Sequence, residues 1–291
     1  MIKKAVIPAA GYGTRFLPVT KSQPKEMIPI VDTPVIQYVV EEAVESGITD
    51  ILMIIGKGKR AIEEHFDRNA ILEESLKEKG NFEMLEKMRN ISRLANIHFV
   101  WQKEMNGLGD AIKYARYHVN NEPFAVLLGD TLMSGVNKPV TQQLIDVYNK
   151  YHSPVVALEE VKSEMVGRYG IIDGDCISEQ VYKAKNWVEK PSAGEAPSNL
   201  AIAGRYIFTP EIFTYLDRIE AGKNKEIQLT DAMKEMVKEH EMYGLKFEGA
   251  RYDIGDKFGF LKTNLIYALK DPEIGSSVKN WIKNFVKDFG E

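Results

Sequence analysis

Two positively charged side chains, Arg15 and Lys25, follow a glycine-bearing loop near the start of the chain. The loop runs from Ala9 to Thr14 with the sequence AAGYGT, and the apolar run Ala5–Pro8 leads directly into it. Because glycine has no Cβ, its backbone N–H groups can come close to a ligand, and clustered N–H groups form an anion-binding concavity. The loop and the two cations therefore predict a site for a polyphosphate.

A carboxylate, Asp130, stands at a comparable place further along the chain. It follows the apolar run Phe124–Leu128, separated from it only by Gly129. A carboxylate at the carboxyl end of a buried strand is well placed to hold Mg²⁺, which prefers oxygen ligands and keeps some of its water. The alternative is an ordinary turn or helix-capping aspartate.

Two other phosphate-binding patterns fit the first loop less well. Gly11 and Gly13 form only half of a dinucleotide fingerprint, because Phe16 stands where the third glycine belongs. The segment also lacks the Gly-Lys-Ser/Thr end of a P-loop. A nicotinamide-dependent oxidoreductase is therefore disfavoured, while a purely structural turn after a strand stays open on these residues alone.

Longer motifs carry a family resemblance that covers essentially the whole chain, in order. Gly11-x-Gly13-Thr14-Arg15 followed by Pro24-Lys25 resembles the sugar-phosphate nucleotidyltransferases. The strings Thr20–Asp32 and Pro34–Gly47 resemble the bacterial UTP–glucose-1-phosphate uridylyltransferases within that family. Further matching segments are Lys59–Glu63, Gly107–Gly109, Arg168–Ile172, Val188–Pro191, Ala203–Tyr206 and Glu226–Asp231.

The resemblance implies that UTP and glucose 1-phosphate are the substrates, and that UDP-glucose and pyrophosphate are the products. The attacking phosphate monoester has a second pKa of ~6, so it is already ionised and needs no general base. Catalysis of this kind depends mostly on positioning and electrostatics. The resemblance also implies Mg²⁺ as the cofactor and a homodimer or homotetramer.

The resemblance assigns catalytic roles to three cations. Arg15 would neutralise the β- and γ-phosphates of UTP, and Lys25 would lie across the α-phosphate and the incoming phosphate. Lys190 would contact the phosphate of the sugar, and the preceding Glu189 would contact glucose hydroxyls. The alternative for Glu189 and Lys190 is a surface ion pair, which is worth only ~0–1 kcal/mol.

The resemblance places a second metal-binding carboxylate at Asp253, which would hold Mg²⁺ together with Asp130. Asp256 is close in sequence and stays open as a further ligand. Its more ordinary role is the N-cap of a helix that begins at Lys257.

Base recognition is expected from the first loop together with Gln102 and Gly107. Gln102 directly follows the apolar run Ile97–Trp101. Its amide can both donate and accept a hydrogen bond, as the imide edge of uracil requires. We expect Gly170 and Gly204 to line the sugar pocket, where glycine allows close approach. The remaining expected nucleotide-binding residues are Ala9, Ala10, Gly11, Gly13, Thr14, Glu26 and Gly129.

Composition excludes several classes of protein. The 291 residues include 44% hydrophobic and 27% charged residues, which is typical of a globular chain. The net charge of −4 argues against a general nucleic-acid-binding protein. The single cysteine, Cys176, excludes an internal disulfide, and no apolar run approaches the ~20 residues that span a bilayer. We therefore expect a cytoplasmic protein without nucleic-acid or membrane partners.

Apolar strands alternate with amphipathic helices along the chain. The predicted buried strands are Ala5–Pro8, Ile51–Ile55, Ile97–Trp101, Phe124–Leu128 and Val155–Leu158, and the helices between them include Val35–Ser46, Ala111–His118 and Val140–Tyr151. The alternation predicts an α/β fold with a Rossmann-like, doubly wound, mixed but mostly parallel sheet flanked by helices, of the nucleotide-diphospho-sugar transferase type. In such sheets ligands bind beyond the carboxyl ends of the strands. A smaller β subregion is expected on the sugar side.

We expect a single nucleotidyltransferase domain over residues 1–291. Residues 1–152 would bind the nucleotide, with a charged helical insertion near 57–93. Residues 153–256 would bind the sugar phosphate, and residues 257–291 would form C-terminal helices.

Two alternatives remain within this fold. A thymidylyltransferase would differ in recognising one methyl group, which changes binding by only ~1–3 kcal/mol. Thr20–Val31, the charged insertion and Arg168–Ile172 favour the uridylyl branch. A catalytically silent regulatory relative would be expected to lose Arg15, Lys25, an aspartate or Lys190, and all of these are present.

Overall fold

The computed structural model describes residues 1–222, 226–252 and 254–289. The strands are β1 (Lys4–Ala9), β2 (Pro29–Ile30), β3 (Thr33–Pro34), β4 (Asp50–Ile55), β5 (Asn96–Trp101), β6 (Phe124–Leu127), β7 (Leu132–Gly135), β8 (Val155–Glu160), β9 (Gly170–Cys176), β10 (Val181–Glu189), β11 (Leu200–Phe208), β12 (Tyr243–Lys246) and β13 (Gly249–Tyr252). The helices are α1 (Val35–Glu45), α2 (Arg60–Phe66), α3 (Ala70–Glu78), α4 (Phe82–Ile91), α5 (Leu108–Lys113), α6 (Arg116–Val119), α7 (Val140–Tyr151), α8 (Ile212–Arg218), α9 (Leu229–Met236), α10 (Lys257–Lys270) and α11 (Gly275–Phe289).

Among the described residues, nine strands form one sheet in the order β5-β4-β1-β6-β11-β8-β12-β10-β9. The pairings of β11 with β6 and β8, and of β10 with β12 and β9, are antiparallel. Pairings β5–β4, β4–β1, β1–β6 and β8–β12 are parallel. Seven of the nine strands therefore run in one direction, and the predicted mixed, mostly parallel sheet is confirmed.

Helices cover both faces of this sheet because successive side chains of a strand point to opposite faces. On β1, Ala5 and Ile7 pack into a buried cluster with α1 and α7. Val6, between them, packs into a second cluster with residues of α5, α8 and α9. The two clusters show that the sheet is doubly wound, as the sequence predicted.

Parallel pairing fixes where the loops of the site meet. β1 pairs with β4 from Lys4↔Asp50 to Ala9↔Ile55, and it pairs with β6 from Lys4↔Phe124 to Val6↔Val126. The carboxyl ends of these three strands consequently lie at one edge of the sheet. The glycine loop after β1 and Gly129-Asp130 after β6 both leave from that edge.

Two expectations about local structure are wrong. β5 is not buried on both faces, because it forms the edge of the sheet, and Trp101 at its end is 59% exposed. The helix predicted over Ala111–His118 is divided into α5 and α6. Tyr114 and Ala115 donate to carbonyls three residues back, which tightens the chain between the two helices.

The charged insertion is helical, as predicted, and contains α2, α3 and α4. Asn69 and Asn81 precede the second and third of these helices, and each side chain accepts a hydrogen bond from a backbone N–H of the first turn. Within the described residues, no helix has both the length and the apolar character that crossing a membrane requires.

Candidate active site

Two adjoining cavities lie beyond the carboxyl edge of the sheet. The larger has a volume of about 660 Å³ and the smaller about 230 Å³, and both are lined by Arg15 and Asp130. Of the predicted residues, the larger cavity is also lined by Gly170, Glu189, Lys190 and Gly204. The smaller cavity is also lined by Gly13, Thr14 and Lys25. The other predicted residues that the structure describes do not line either of these two cavities: Ala9, Ala10, Gly11, Glu26, Gln102, Gly107 and Gly129.

The glycine loop turns sharply at Gly13, whose φ of +66° is favourable for glycine alone among ordinary residues. The carbonyl of Gly13 accepts hydrogen bonds from Phe16 N–H at 3.0 Å and from Thr20 Oγ1 at 2.8 Å. A Cβ at Gly13 would lie only 2.9 Å from Cβ of Lys25. The turn therefore brings Arg15 and Lys25 to the same cavity.

Lys25 and Asp130 form an ion pair at the smaller cavity, which both residues line, and Asp130 also lines the larger cavity. Their Nζ and Oδ2 atoms are 2.5 Å apart, and the side chains are 24% and 38% exposed. Burial alone would lower the pKa of Lys25, but Asp130 and Glu26 outweigh it and raise that pKa. Burial alone would raise the pKa of Asp130, but Lys25 outweighs it and lowers that pKa. Both groups are therefore charged at neutral pH.

Sequence reasoning missed Lys59, which lies behind the loop. Its Nζ donates to Glu26 Oε2 and to the carbonyl of Gly11, both at 2.7 Å. Glu26 is 1% exposed and Lys59 5%, so burial raises the pKa of Glu26 and lowers that of Lys59. The structure places Glu26 as an internal partner of Lys59. The signal for Lys59 was its position soon after β4, at the same edge of the sheet.

Gln102 lies directly after β5, where it was predicted, but it is only 5% exposed. Its Nε2 donates to Asp110 Oδ2 at 2.9 Å and lies 3.4 Å from the carbonyl of Gly107. The amide nitrogen of Gln102 is thus engaged by the first turn of α5 and by Gly107, which precedes that helix.

The loop that leads into α5 is joined to the other half of the site by backbone hydrogen bonds. Ile227 N–H donates to the carbonyl of Asn106 at 2.6 Å, and Gly109 N–H donates to the carbonyl of Ile227 at 2.8 Å. Gln228, Leu229 and Thr230, which follow Ile227, line the larger cavity. The predicted base loop and the sugar side are therefore in direct contact.

Glu189 and Lys190 stand at the end of β10, on the far side of the larger cavity. Lys190 has a φ of +46°, a left-handed conformation that costs a non-glycine residue ~1 kcal/mol. Its N–H donates to the carbonyl of Tyr169 at 3.0 Å, and its Nζ lies 3.0 Å from Glu189 Oε1. A Cβ at Gly170 would lie 3.3 Å from Glu189 Oε2 and 2.7 Å from Ile202. Strained backbone of this kind clusters at ligand sites.

Several cavity-lining residues were not predicted individually: Thr131, Arg168, Tyr169, Tyr206, Gln228, Thr230 and Arg251. Five of them lie in motifs that carried the family resemblance, but Thr131 and Arg251 lie in none. Arg251 Nε donates to Glu159 Oε2 at 2.7 Å, and the guanidinium lies 4.8 Å from the centre of the Tyr169 ring. Burial raises the pKa of Tyr206, so this side chain presents a neutral phenol.

The charges of the larger cavity suit an anionic ligand together with a cation. Arg15, Arg168, Lys190 and Arg251 are the cations among its described lining residues, and Asp130, Glu189 and Asp256 are the carboxylates. Such a cluster can neutralise several phosphate oxygens at once.

The predicted metal residues are only partly described. Asp253 lies outside the described residues. Asp256 caps α10, because its Oδ1 accepts from the N–H groups of Phe258 and Gly259 at 2.9 Å. Within the described part of the chain, no three His, Cys, Asp or Glu side chains are arranged to hold a metal. Asp130 remains the carboxylate that faces both cavities.

The whole chain is similar to known nucleotidyltransferases. A family model described as "Nucleotidyl transferase" matches residues 4–269. A Staphylococcus epidermidis protein named UTP–glucose-1-phosphate uridylyltransferase is 52% identical over 282 residues, which cover 97% of this chain and 98% of the relative. A solved UDP-glucose pyrophosphorylase complexed with UDP-glucose is 45% identical, covers 93% of this chain and 100% of its own, and has a TM-score of 0.86. A UTP-bound UGPase from Acinetobacter baumannii is 38% identical, with coverages of 97% and 99% and a TM-score of 0.90.

Proposed function

Because this chain belongs to the nucleotidyl transferase family, we propose that it transfers the uridylyl group of UTP to glucose 1-phosphate and releases pyrophosphate. The observation that carries the proposal is the Lys25–Asp130 pair, because its carboxylate lines both of the adjoining cavities and its lysine lines the smaller one. One cavity carries the glycine loop and the other carries Glu189 and Lys190. The relatives that are 38% to 52% identical are named for UTP or UDP-glucose, which supports UTP as the nucleotide.

In the proposed reaction, an oxygen of the sugar phosphate forms a bond to the α-phosphorus of UTP. The bond from that phosphorus to the bridging oxygen of the β-phosphate breaks, and pyrophosphate leaves with the electron pair. The attacking phosphate is ionised at neutral pH, so no side chain has to remove a proton. What the protein must do is hold several anions together and stabilise the charge that develops on the leaving group.

Three cations of the site have a role in the proposed reaction. Arg15 would neutralise the β- and γ-phosphates and then the departing pyrophosphate. Lys25, which lines the smaller cavity, would leave Asp130 for the α-phosphate. Lys190 would hold the phosphate of the sugar, while Glu189 would accept hydrogen bonds from glucose hydroxyls. The left-handed backbone at Lys190 supports this role, since it directs the chain away from β10 at the cavity wall.

Nucleotidyltransferases of this family generally use a divalent metal ion, and we propose Mg²⁺ for this chain. Asp130 fits such an ion, because proteins usually bind Mg²⁺ through one or two carboxylates plus substrate phosphates and water. Asp253 is the proposed second carboxylate. When bound, Mg²⁺ would supply positive charge to the phosphate oxygens of UTP.

We propose in addition that the chain forms a homodimer or homotetramer in the cytoplasm. The two C-terminal helices expose large apolar side chains, including Phe258 at 76%, Leu261 at 66% and Trp281 at 59%. A second copy would remove this surface from water. Light scattering coupled to size-exclusion chromatography would measure the mass. Cytoplasmic location is supported by the single cysteine, Cys176, which cannot form an internal disulfide.

Pyrophosphate release tests the reaction directly. Purified protein is incubated with glucose 1-phosphate and Mg²⁺, and with UTP, dTTP, CTP, ATP or GTP, with and without EDTA. We expect turnover with UTP that is lost on chelation. A preference for dTTP would assign the chain to thymidylyl transfer. Absence of turnover with every nucleotide, from folded protein, would support a catalytically silent relative.

A further inference from the structure

A buried ion pair lies behind the cavity wall and has no part in the scheme above. Arg205 on β11 is 1% exposed and Glu42 on α1 is 7% exposed. Nη2 of Arg205 lies 2.7 Å from Glu42 Oε2, and its Nε lies 3.2 Å and 3.1 Å from the two carboxylate oxygens. Thr141, at the start of α7, donates to Glu42 Oε1 through its N–H at 3.1 Å and its hydroxyl at 2.7 Å. The pair therefore links three separate elements.

Two further hydrogen bonds of Arg205 go to the turn that carries Asp130. Thr131 N–H donates to the carbonyl of Leu128 at 3.2 Å, which closes a four-residue turn with Gly129 and Asp130 at its centre. Nη2 of Arg205 donates to the carbonyl of Thr131 at 2.8 Å, and Nη1 lies 3.5 Å from the carbonyl of Leu128. One guanidinium thus contacts both ends of this turn.

The same guanidinium also forms a hydrogen bond to Gly204, which is proposed to line the sugar pocket. Its Nη1 donates to the carbonyl of Gly204 at 3.1 Å, and that carbonyl accepts a further bond from Leu128 N–H. Gly204, Leu128 and Thr131 all line the larger cavity. Arg205 therefore connects the backbone of β11 at Gly204 with the backbone of the turn that carries Asp130.

We infer that Arg205, fixed by Glu42, is a positioning residue that holds the carboxylate of Asp130 at the angle the reaction requires. This inference rests on the proposed function, because it is the proposed metal and phosphate chemistry that makes the placement of Asp130 matter. Arginine suits the role because its planar fork can bond a carboxylate and several carbonyls in fixed directions. Lysine, a point charge on a flexible stem, would keep the charge and lose those directions.

The first test compares wild type with Arg205→Lys. Steady-state kinetics give kcat and KM for UTP and glucose 1-phosphate, and electron paramagnetic resonance measures binding of Mn²⁺ in the presence of UTP. Loss of groups that orient a metal-binding side chain typically costs about 10–100-fold in metal affinity or activity. We expect kcat to fall by about 10-fold or more and Mn²⁺ binding to weaken, while KM for both substrates changes by less than about 3-fold.

A double variant separates positioning from stability. Glu42→Leu combined with Arg205→Met removes both charges, and replacing a buried ion pair by apolar residues often leaves stability unchanged or raises it. We expect the double variant to keep a Tm close to wild type and to remain at least about 10-fold slower, because the turn has lost its donors. Should Arg205→Lys fail to fold, this double variant decides the question.

The matched control is Phe208→Leu, which lies on the same strand and is fully buried. Phe208 pairs with Phe124 at the opposite end of β6 from the turn. The Phe208→Leu substitution should lower Tm through lost packing and leave kcat and Mn²⁺ binding within about 2-fold of wild type.

Three results would go against the inference. A double variant with wild-type kcat and Mn²⁺ binding would overturn it and leave the proposed function intact. A Phe208→Leu variant that loses kcat in proportion to Tm would show that stability alone explains the effect. Wild-type protein without uridylyl transfer would overturn the proposed function itself, and the positioning role would fall with it.

Discussion

Lysine and carboxylate meet on both sides of the cleft, but in different surroundings. On the nucleotide side, Lys25 and Asp130 are 24% and 38% exposed and 2.5 Å apart. On the side proposed to bind the sugar phosphate, Lys190 is 54% exposed and its Nζ lies 3.0 Å from Glu189 Oε1. Lys25 is packed against Gly13, and both Asp130 and Glu26 are its charge partners. Lys190 has one carboxylate partner among the described residues, Glu189, and a left-handed backbone conformation.

The two sides of the cleft therefore position a lysine for an anionic ligand in two different ways. On the nucleotide side, side chains are held by one another, so removing one leaves its partners uncompensated. On the sugar side the backbone holds the lysine, and an exposed pair contributes little to stability. Loss of a nucleotide-side residue should therefore affect both activity and stability, whereas loss of Lys190 should affect activity alone.

Lys25→Ala should have the largest effect. We expect kcat/KM to fall by about 100-fold or more, since the loss of one such electrostatic contact costs ~3 kcal/mol in the transition state. Tm should also fall, because Asp130 and Glu26 lose their shared counter-ion. Lys21→Ala, on the exposed turn just before Lys25, is the matched control and should leave both quantities unchanged. Near-normal kinetics in the Lys25 variant would remove this residue from the site.

Lys190→Ala should reduce kcat/KM by a similar factor, about 100-fold, with Tm unchanged. Alanine keeps the Cβ, so the left-handed strain at this position is the same in both proteins. Lys162→Ala, another exposed lysine, controls for the change of surface charge. A drop in Tm as large as that of Lys25→Ala would contradict the distinction between the two sides.

Lys59→Met should act mainly on stability. It leaves the carboxylate of Glu26, 1% exposed, without its closest partner, and breaking a buried pair in this way costs ~3 kcal/mol or more. Chemical denaturation at neutral pH measures the loss. Adding Glu26→Gln to Lys59→Met should restore part of it, because an amide needs no counter-ion. Failure of the second change to recover any stability would mean that Lys59 acts through Gly11 alone.

The smallest effect on activity is expected far from the cleft, at Glu73 in the insertion. Hydrogen bonds from Arg68, and then from Arg89, lower the pKa of Glu73 from its ordinary 4.5 to about 2. A lowered folded-state pKa means that the pair stabilises the protein above pH 4.5, and that this contribution is lost as the pH falls towards 2.

Glu73→Gln should therefore be less stable than wild type by a constant amount between about pH 6 and 8. The gap should narrow as the pH falls below 4.5. Denaturation curves at several pH values measure it, and uridylyl transfer at neutral pH serves as the internal control. A gap that widens on acidification would contradict the assigned charge state, and a loss of turnover would connect the insertion to the site.

The sequence by itself determined the main elements and the anion-binding loop. Strand β1, helix α7 and the glycine turn at Gly13 follow from patterns of near neighbours: apolar runs, helical spacing and a left-handed position. Local signals and the family resemblance together singled out Arg15, Lys25, Glu189 and Lys190, and the fold brings these residues to two adjoining cavities. The resemblance to the uridylyltransferases is confirmed by the comparisons, while the roles of these residues stay predictions.

Only the tertiary structure decided which charged groups lie behind those loops. Lys59 meets Glu26 across 33 positions of sequence, and Arg205 meets Glu42 across 163. No local pattern marks such pairs, because burial of a charge depends on what the rest of the fold places around it. The same reason explains β5, whose apolar run resembles a buried strand although it forms the edge of the sheet. Sequence patterns specify elements, and the packing of distant elements decides which charges are paired and which face the ligand.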